Sequence, residues 1–335
     1  MSATVSDKLL AWYDAHARDL PWRAQPGANA ADPYRVWLSE VMLQQTTVAA
    51  VRPRFEAWVA RWPTLAALAA ASDADVMAAW AGLGYYARAR NLLQCARAVV
   101  AEHDSAFPTA EAELRALPGL GDYTAAAIAA IAFGRRAVVI DANVKRVVAR
   151  LFADDGATVR ALADRLTPDA RTGDFAQAMM DLGSAICTPR APKCLLCPLR
   201  DDCAGFASGM PEAFPAKAVK KAKPQRHGTA FWLTRGRDVL LVRRPPSGLL
   251  GGMRALPSGH WTEDASDRAG APVDAAWRDT GRSVTHVFTH FRLELRLASA
   301  EIDAQDVAGQ WWPIDDLDSA GLPTVFAKAA ARMKE

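Results

Sequence analysis

The chain has no apolar run long enough, or free enough of charge, to span a bilayer, and its first residues lack the basic-then-apolar layout of a secretory signal. No membrane association is expected, and a reducing cytoplasm is. Cysteine is scarce, with 5 in 335 residues. In that compartment, cysteines close together in sequence read as ligands rather than disulfide partners. Neither sign of charge dominates: the formal net charge is +3 and the pI is near 8.6. Such a balance permits a nucleic-acid partner without demanding one, so particular basic faces have to carry that argument. Lysine is scarce beside arginine and alanine is plentiful, a compositional bias without mechanistic content. The length allows two or three domains with sizeable cores.

What cysteine there is falls almost entirely in one place. Cys187, Cys194, Cys197 and Cys203 form a C-x6-C-x2-C-x5-C run. Pro189, Pro192 and Pro198 within it discourage regular structure and predict a compact loop. Four thiolates can hold zinc or an iron–sulfur cluster. Zinc sites usually pair two short knuckles across a longer gap, whereas here one C-x2-C is flanked by wider, unequal spacings, which favours [4Fe–4S]. Cys95 sits in an Ala-rich helical stretch and reads as buried filler.

Residues 1–205 read as mostly helical, with segments Pro33 to Val51, Leu65 to Ala71, Asp75 to Trp80, Tyr86 to Glu102 and Thr124 to Phe133 separated by Pro or Gly. Residues 206–228 change texture to Gly, Pro and Lys, including Lys217, Lys220, Lys221, Lys223, Pro224 and Arg226, and read as a basic flexible linker. Within 229–335, Thr229 to Leu233, Asp238 to Arg243, Val284 to Phe288 and Arg292 to Leu297 carry strand patterns, predicting a separate α+β domain.

Two features of the helical region carry chemistry. Leu117-Pro-Gly119-Leu-Gly121 lies in a helix-hairpin-helix pattern spanning about 109–133. Its glycines permit a tight turn ending at a helix N-terminus, where unpaired N–H groups suit a DNA phosphate; an ordinary αα-hairpin fits the same residues. Further on, Ala137-Val-Val-Ile-Asp141-Ala-Asn143-Val-Lys145-Arg146 sets an acid and an amide at the mouth of a helix running to Leu151. Alone, Asp141 would read as an N-cap.

Hairpin, Asp and cysteine run, in this order and at these separations, resemble the helix-hairpin-helix DNA glycosylase superfamily with an iron–sulfur loop, the endonuclease III and adenine DNA glycosylase branch. The resemblance implies an all-α glycosylase domain with a [4Fe–4S] cluster loop at 187–203 and makes Asp141 the catalytic carboxylate. Endonuclease III types carry a lysine at the position of Tyr123. A tyrosine cannot form the imine of a lyase, so base removal without strong strand cleavage is expected. Leu20-Pro-Trp22-Arg23, the run from Trp37 through Glu40 to Gln45 and Thr46, and Gly82-Leu-Gly-Tyr85-Tyr-Ala-Arg-Ala-Arg-Asn91 are similar to adenine DNA glycosylases of the MutY type. By that resemblance Glu40 protonates adenine N7, Asp141 stabilises the sugar cation or its adduct, and Asn143 and Tyr123 order the sugar and nucleophile. Gln45 and Tyr85 enter the DNA stack, while Trp22, Arg23 and Gln177 line the pocket for the extruded base. Val36, Trp37, Val41 and Met42 flank Glu40, so partial desolvation and a raised pKa are expected of it. Arg190, Lys193 and Arg200 beside the cysteines are expected to meet phosphates.

Past the linker, Arg244-Pro-Pro-Ser-Gly-Leu-Leu-Gly-Gly and Phe288-Thr289-His290-Phe291 resemble the family's Nudix-like lesion-recognition domain. Leu250 and Thr289 depart from the family's usual Trp and Ser. Thr289 keeps the hydroxyl and adds a methyl, which would alter the readout of an oxidised guanine. No Arg-Glu-x-x-Glu-Glu motif occurs in this domain, so pyrophosphate hydrolysis is not expected. The resemblance as a whole implies a monomer acting on double-stranded DNA that holds adenine opposite 8-oxoguanine or guanine, with the linker open to replication or repair proteins. Two other classes share parts of the pattern: a lyase acting on oxidised pyrimidines, opposed by Tyr123, and a non-catalytic damage-binding module, opposed by the pairing of Glu40 with Asp141.

Overall fold

The computed structural model describes residues 3–28, 31–80, 82–216, 222–245, 248–264, 269–303 and 307–335. The chain divides into two compact units, residues 1–79 with 88–219, and residues 80–87 with 220–335. Among the described residues no helix is long and apolar enough to cross a membrane. Linker residues Lys217, Lys220 and Lys221, and Pro246 and Ser247 of the Arg244 motif, lie outside the described residues.

The helical elements are α1 (Val5–His16), α2 (Pro33–Leu43), α3 (Val48–Arg61), α4 (Leu65–Ala69), α5 (Asp73–Ala79), α6 (Ala87–Glu102), α7 (Glu111–Ala116), α8 (Asp122–Phe133), α9 (Ala142–Phe152), α10 (Val159–Leu166), α11 (Thr172–Ala185) and α12 (Ala204–Ala207). Their starts follow from local chemistry. Thr4 and Asp7 form a capping box at α1, and Asp32 caps α2 with Pro33 at its first position. α8 is Ala-rich and buried on nearly every side from Thr124 to Ala132, which lets α2, α7 and α11 pack around it. On α9, Val144, Val147, Val148 and Leu151 recur at i, i+3, i+4 and i+7 and face a core shared with Leu9, Tyr13, Met179 and Leu182. Cys95 is fully buried on α6, as expected of filler, and burial pushes its thiol up to about 12.

The second unit is built on a six-stranded sheet of order β3-β2-β1-β5-β4, with β6 also pairing β2. The strands are β1 (Gln225–Arg235), β2 (Asp238–Arg243), β3 (Arg254–Ala255), β4 (Arg278–Val287), β5 (Arg292–Glu301) and β6 (Gln310–Pro313), and the chain ends in α13 (Thr324–Lys334). Alternation sorts side chains to two faces: Ala230, Trp232, Leu293, Leu295 and Leu297 join Val325 and Phe326 of α13, while Phe231, Leu233, Ala298 and Ala300 pack against Trp277.

Two readings from the sequence are corrected. The segment read as one helix from Pro33 to Val51 is broken: α2 stops at Leu43, Gln45 takes a left-handed φ of 57°, and Thr47 caps α3 by accepting from Ala50 N. Strand β1 starts at Gln225, inside the segment read as linker to residue 228. Parallel pairing of Gln225–Gly228 with Arg292–Leu295 supplies the backbone partners that its polar composition did not suggest. The 206–228 segment also opens on the end of α12 and a 3₁₀ turn at Pro211–Ala213.

α9 and α11 pack closely at Gly183, where an added Cβ would lie 2.6 Å from Asn143 Cβ. Gly183→Ala is therefore expected to cost about 1–3 kcal/mol. Denaturant unfolding measures this, and an unchanged midpoint would show that the two helices yield without penalty.

Candidate active site

A cleft of about 350 Å³ opens in the helical unit between α2, α8, α11 and the start of α9. It gathers eight of the residues singled out in the sequence: Glu40, Tyr123, Asp141, Asn143, Trp22, Arg23, Gln45 and Gln177. Glu40 projects from α2, is only 7% exposed, and accepts a hydrogen bond from the Tyr123 hydroxyl at 2.7 Å. Burial raises its pKa most, and the nearby Asp141 adds to that; the Tyr123 hydrogen bond and the Arg23 charge pull the other way. Tyr123 is itself held well above its ordinary range by burial and by Glu40, so it remains a phenol able to donate.

Asp141 is indeed an N-cap, and more than that. Its Oδ1 accepts from Val144 N at 2.7 Å and its Oδ2 from Asn143 Nδ2 at 2.8 Å. Both bonds hold the carboxyl in one orientation at the N-terminal end of α9. One cleft thus holds a buried carboxyl biased toward its proton and a second carboxyl anchored by fixed donors.

The chain of contacts continues away from the cleft. Asn143 Oδ1 accepts from Arg146 Nη2 at 2.8 Å, and Arg146 donates to Gly183 O and to Cys187 O, each at 2.7 Å. One turn on, buried Arg150 donates to Thr188 O at 2.7 Å and Pro189 O at 3.1 Å, with Nη1 3.5 Å from Cys187 Sγ. Neither arginine was singled out in the sequence. Their i, i+3 and i+7 spacing from Asn143, along one face of α9, is the signal that could have found them.

Cys187, Cys194, Cys197 and Cys203 line one small cavity with Ile186, Phe206 and Pro211. No three His, Cys, Asp or Glu side chains among the described residues are grouped to hold a single metal ion. A ring of four sulfurs around a void, with an apolar wall, fits a multi-iron cluster better than a single zinc, whose ligating sulfurs would converge within about 2.3 Å of one ion. Burial pushes the Cys197 thiol up to about 11, so iron binding would have to displace its proton. Of the basic residues expected at phosphates, Arg190 is exposed and Arg200 borders the cysteine cavity and pairs with Asp201.

Gly119 and Gly121 form the turn between α7 and α8. Gly119 has φ +76°, and a Cβ there would come 2.6 Å from Asn91 Cβ, while no side chain caps the N-terminus of α8 at Gly121. An anion can therefore approach those first N–H groups. Gln45 and Tyr85 are both exposed and both left-handed, at φ 57° and 48°, a strained state that non-glycine residues adopt mainly where the surroundings enforce it. In the second unit Phe288 stacks between Trp261, His286 and Phe291, with Thr289 and His290 exposed beside it. Within that unit the Tyr85 hydroxyl lies 3.1 Å from Thr289 Oγ1.

A helical hairpin, two carboxyls in unlike surroundings and a four-cysteine loop define a helix-hairpin-helix base-excision repair glycosylase fold. Comparison with known proteins agrees. Residues 38–168 match the HhH-GPD superfamily base excision DNA repair protein, residues 187–203 the iron-sulfur binding domain of endonuclease III, and residues 229–332 the NUDIX domain. The chain is 35% identical to human adenine DNA glycosylase over 96% of this chain and 72% of that one. It is 45% identical to the adenine DNA glycosylase of Mycobacterium tuberculosis strain H37Rv over 72% of this chain and 80% of that one. A solved thermostable thymine-DNA glycosylase superposes with a TM-score of 0.55 at 27% identity, over 61% of this chain and 95% of its own. The chain belongs to the adenine DNA glycosylase family, and its cysteine loop holds a [4Fe–4S] cluster.

Arg146→Met, which removes the donors between Asn143 and the cysteine loop, should slow base release by about 10- to 100-fold and loosen the cluster. Single-turnover kinetics and visible absorbance check both. Cys197→Ser should abolish the absorbance, whereas a colourless wild-type protein with one equivalent of zinc would contradict the metal assignment.

Proposed function

We propose that the cleft hydrolyses the N-glycosidic bond of adenine lying opposite 8-oxoguanine or guanine, with the base flipped out of the duplex and without strong lyase activity. As a member of the adenine DNA glycosylase family, the chain is a base-excision repair enzyme acting on DNA. The observation that carries the finer reading is the pairing of Glu40 and Asp141 across one cleft, the first buried with a raised pKa and the second held by fixed hydrogen-bond donors at a helix start.

Breaking this bond leaves negative charge on the departing base and positive charge on the sugar. A protonated Glu40 delivers its proton to adenine, which makes the base a competent leaving group. The carboxylate of Asp141 faces the sugar cation, as in glycoside hydrolysis generally. Tyr123 keeps Glu40 in one rotamer by donating to Oε2, and Asn143 does the same for Asp141. Trp22 stands edge-on to Phe55 at 5.1 Å and offers a fixed apolar wall to the purine, with Gln177 and Arg23 supplying polar contacts. Tyr123 has no amine, so abasic product is expected to leave intact strands. When bound, the iron–sulfur cluster supplies cross-linking of the 187–203 loop, and the chemistry requires no electron transfer. Strained, exposed Gln45 and Tyr85 fill the stack as the base leaves it, and Thr289 and His290 read the opposing base. The protein is further proposed to act as a monomer in the cytoplasm, with the linker available to replication or repair proteins.

Asp141→Asn should abolish adenine release while preserving duplex binding; retained turnover would remove Asp141 from the mechanism. Glu40→Gln should slow release by about 10²- to 10⁴-fold. Because Glu40 must be protonated to act and its pKa is raised, wild-type single-turnover rates should stay high through the ordinary carboxylate range and fall only at higher pH. A limb at an unperturbed carboxylate pKa would contradict the role given to its burial.

A further inference from the structure

One buried acid in the helical unit reaches the cleft through two arginine side chains. Asp181 is 2% exposed on α11, four residues after Gln177 and so on the same helical face. Arg23 grips it in a fork, Nη1 to Oδ2 at 2.6 Å and Nη2 to Oδ1 at 3.0 Å. Arg18 Nε donates to the same Oδ1 at 2.7 Å, and Arg18 Nη2 also contacts it. Arg18 is partly exposed at the cleft's edge, whereas the Arg23 side chain is only 7% exposed. Among the described residues Asp181 is the hydrogen-bond partner of Arg23, which leaves that guanidinium with unused N–H donors where it lines the cleft. A buried guanidinium without a counter-charge would be costly, and a single long side chain without a fork would sample several rotamers. Among the described residues the fully buried Tyr13 hydroxyl has no hydrogen-bond partner and does not substitute for the acid.

We propose that Asp181 is a positioning residue for adenine hydrolysis: its carboxylate fixes the Arg23 guanidinium in the cleft wall, free donors toward the base, and offsets its charge beside Glu40. The inference rests on the adenine-hydrolysis reading above. The titratable and charged groups facing Glu40 are Tyr123 from α8, Asp141 at the start of α9 and Arg23 from the loop after α1; α11 contributes Asp181 through Arg23. Without Asp181, the uncancelled Arg23 charge would favour ionised Glu40, so the proton donor would be lost at lower pH. The direction follows from the role: release needs protonated Glu40, a lowered pKa ends protonation sooner, and the alkaline limb moves acidward.

The test uses the full-length iron–sulfur protein and a labelled duplex with adenine opposite 8-oxoguanine. Single-turnover release is followed against pH for wild type, Asp181→Asn and Asp181→Glu, with thermal midpoint, visible absorbance and duplex affinity measured on each. Asp181→Asn is expected to slow release at least tenfold near neutral pH and to shift the limb to lower pH. Its cluster absorbance and duplex affinity should stay at wild-type values, and Asp181→Glu should restore most of the rate. Wild-type release with an unmoved limb in Asp181→Asn overturns the proposal alone, as does a loss explained by a lowered midpoint and bleached cluster. Failure of the wild type to release adenine overturns the underlying reading and the proposal with it.

Discussion

The helix α9 is the constraint on which the rest of the helical unit depends. Eleven residues long, it begins at the Asp141 cap and ends beside the cysteine loop, so one rod ties the cleft's Asp141 to the loop. Its apolar stripe packs it against α11, and Gly183 lets the two helices approach until Asn143 is in contact. Arg146 and Arg150 then carry hydrogen bonds from this helix to backbone carbonyls at and after the first cysteine. Within the proline-rich loop, 3₁₀ turns at Cys194–Leu196 and Arg200–Asp202 add local backbone hydrogen bonds. These contacts and the cluster's four cysteines give it one conformation, and that conformation in turn fixes the helix that positions Asp141.

The cleft works by treating two identical functional groups differently. Glu40 lies on a helix beside buried Val36, Trp37, Val41 and Met42, and burial is the largest influence on it. Asp141 sits where a helix presents its unpaired N–H groups, which stabilise charge without needing water. The same cleft therefore sets two carboxyls in unlike surroundings, one desolvated and one held by fixed donors. Arg23 is the complication, since a cation in the cleft wall pulls at the proton on Glu40. Its pairing with Asp181 lets the cleft keep the donor while limiting the effect of the charge.

Much of this was legible in the sequence because the informative residues are local. The cysteine spacing, the Gly119-Leu120-Gly121 turn and Asp141 ahead of an amphipathic helix are all short patterns whose geometry follows from a few adjacent residues. Glu40 was legible through its flanks, which are apolar on both sides. The left-handed state of Gln45 was not, because Leu43 to Thr46 carries no glycine or proline to announce a break. Nor were Asp181, Arg146 and Arg150, whose partners lie 158, 41 and 38 residues away. Strand β1 was read too short because its first four residues are held by pairing with β5 rather than by their own propensity.

The central claim is that a proton from Glu40 and the charge of Asp141 release adenine by hydrolysis, with a tyrosine where a lyase would need an amine. Its most direct test is single-turnover cleavage of an end-labelled duplex carrying adenine opposite 8-oxoguanine, guanine or thymine, resolved with and without alkali. The account predicts scission at adenine only after alkali, fastest opposite 8-oxoguanine and weakest opposite thymine. Scission without alkali, or tight binding with no base release, would contradict it.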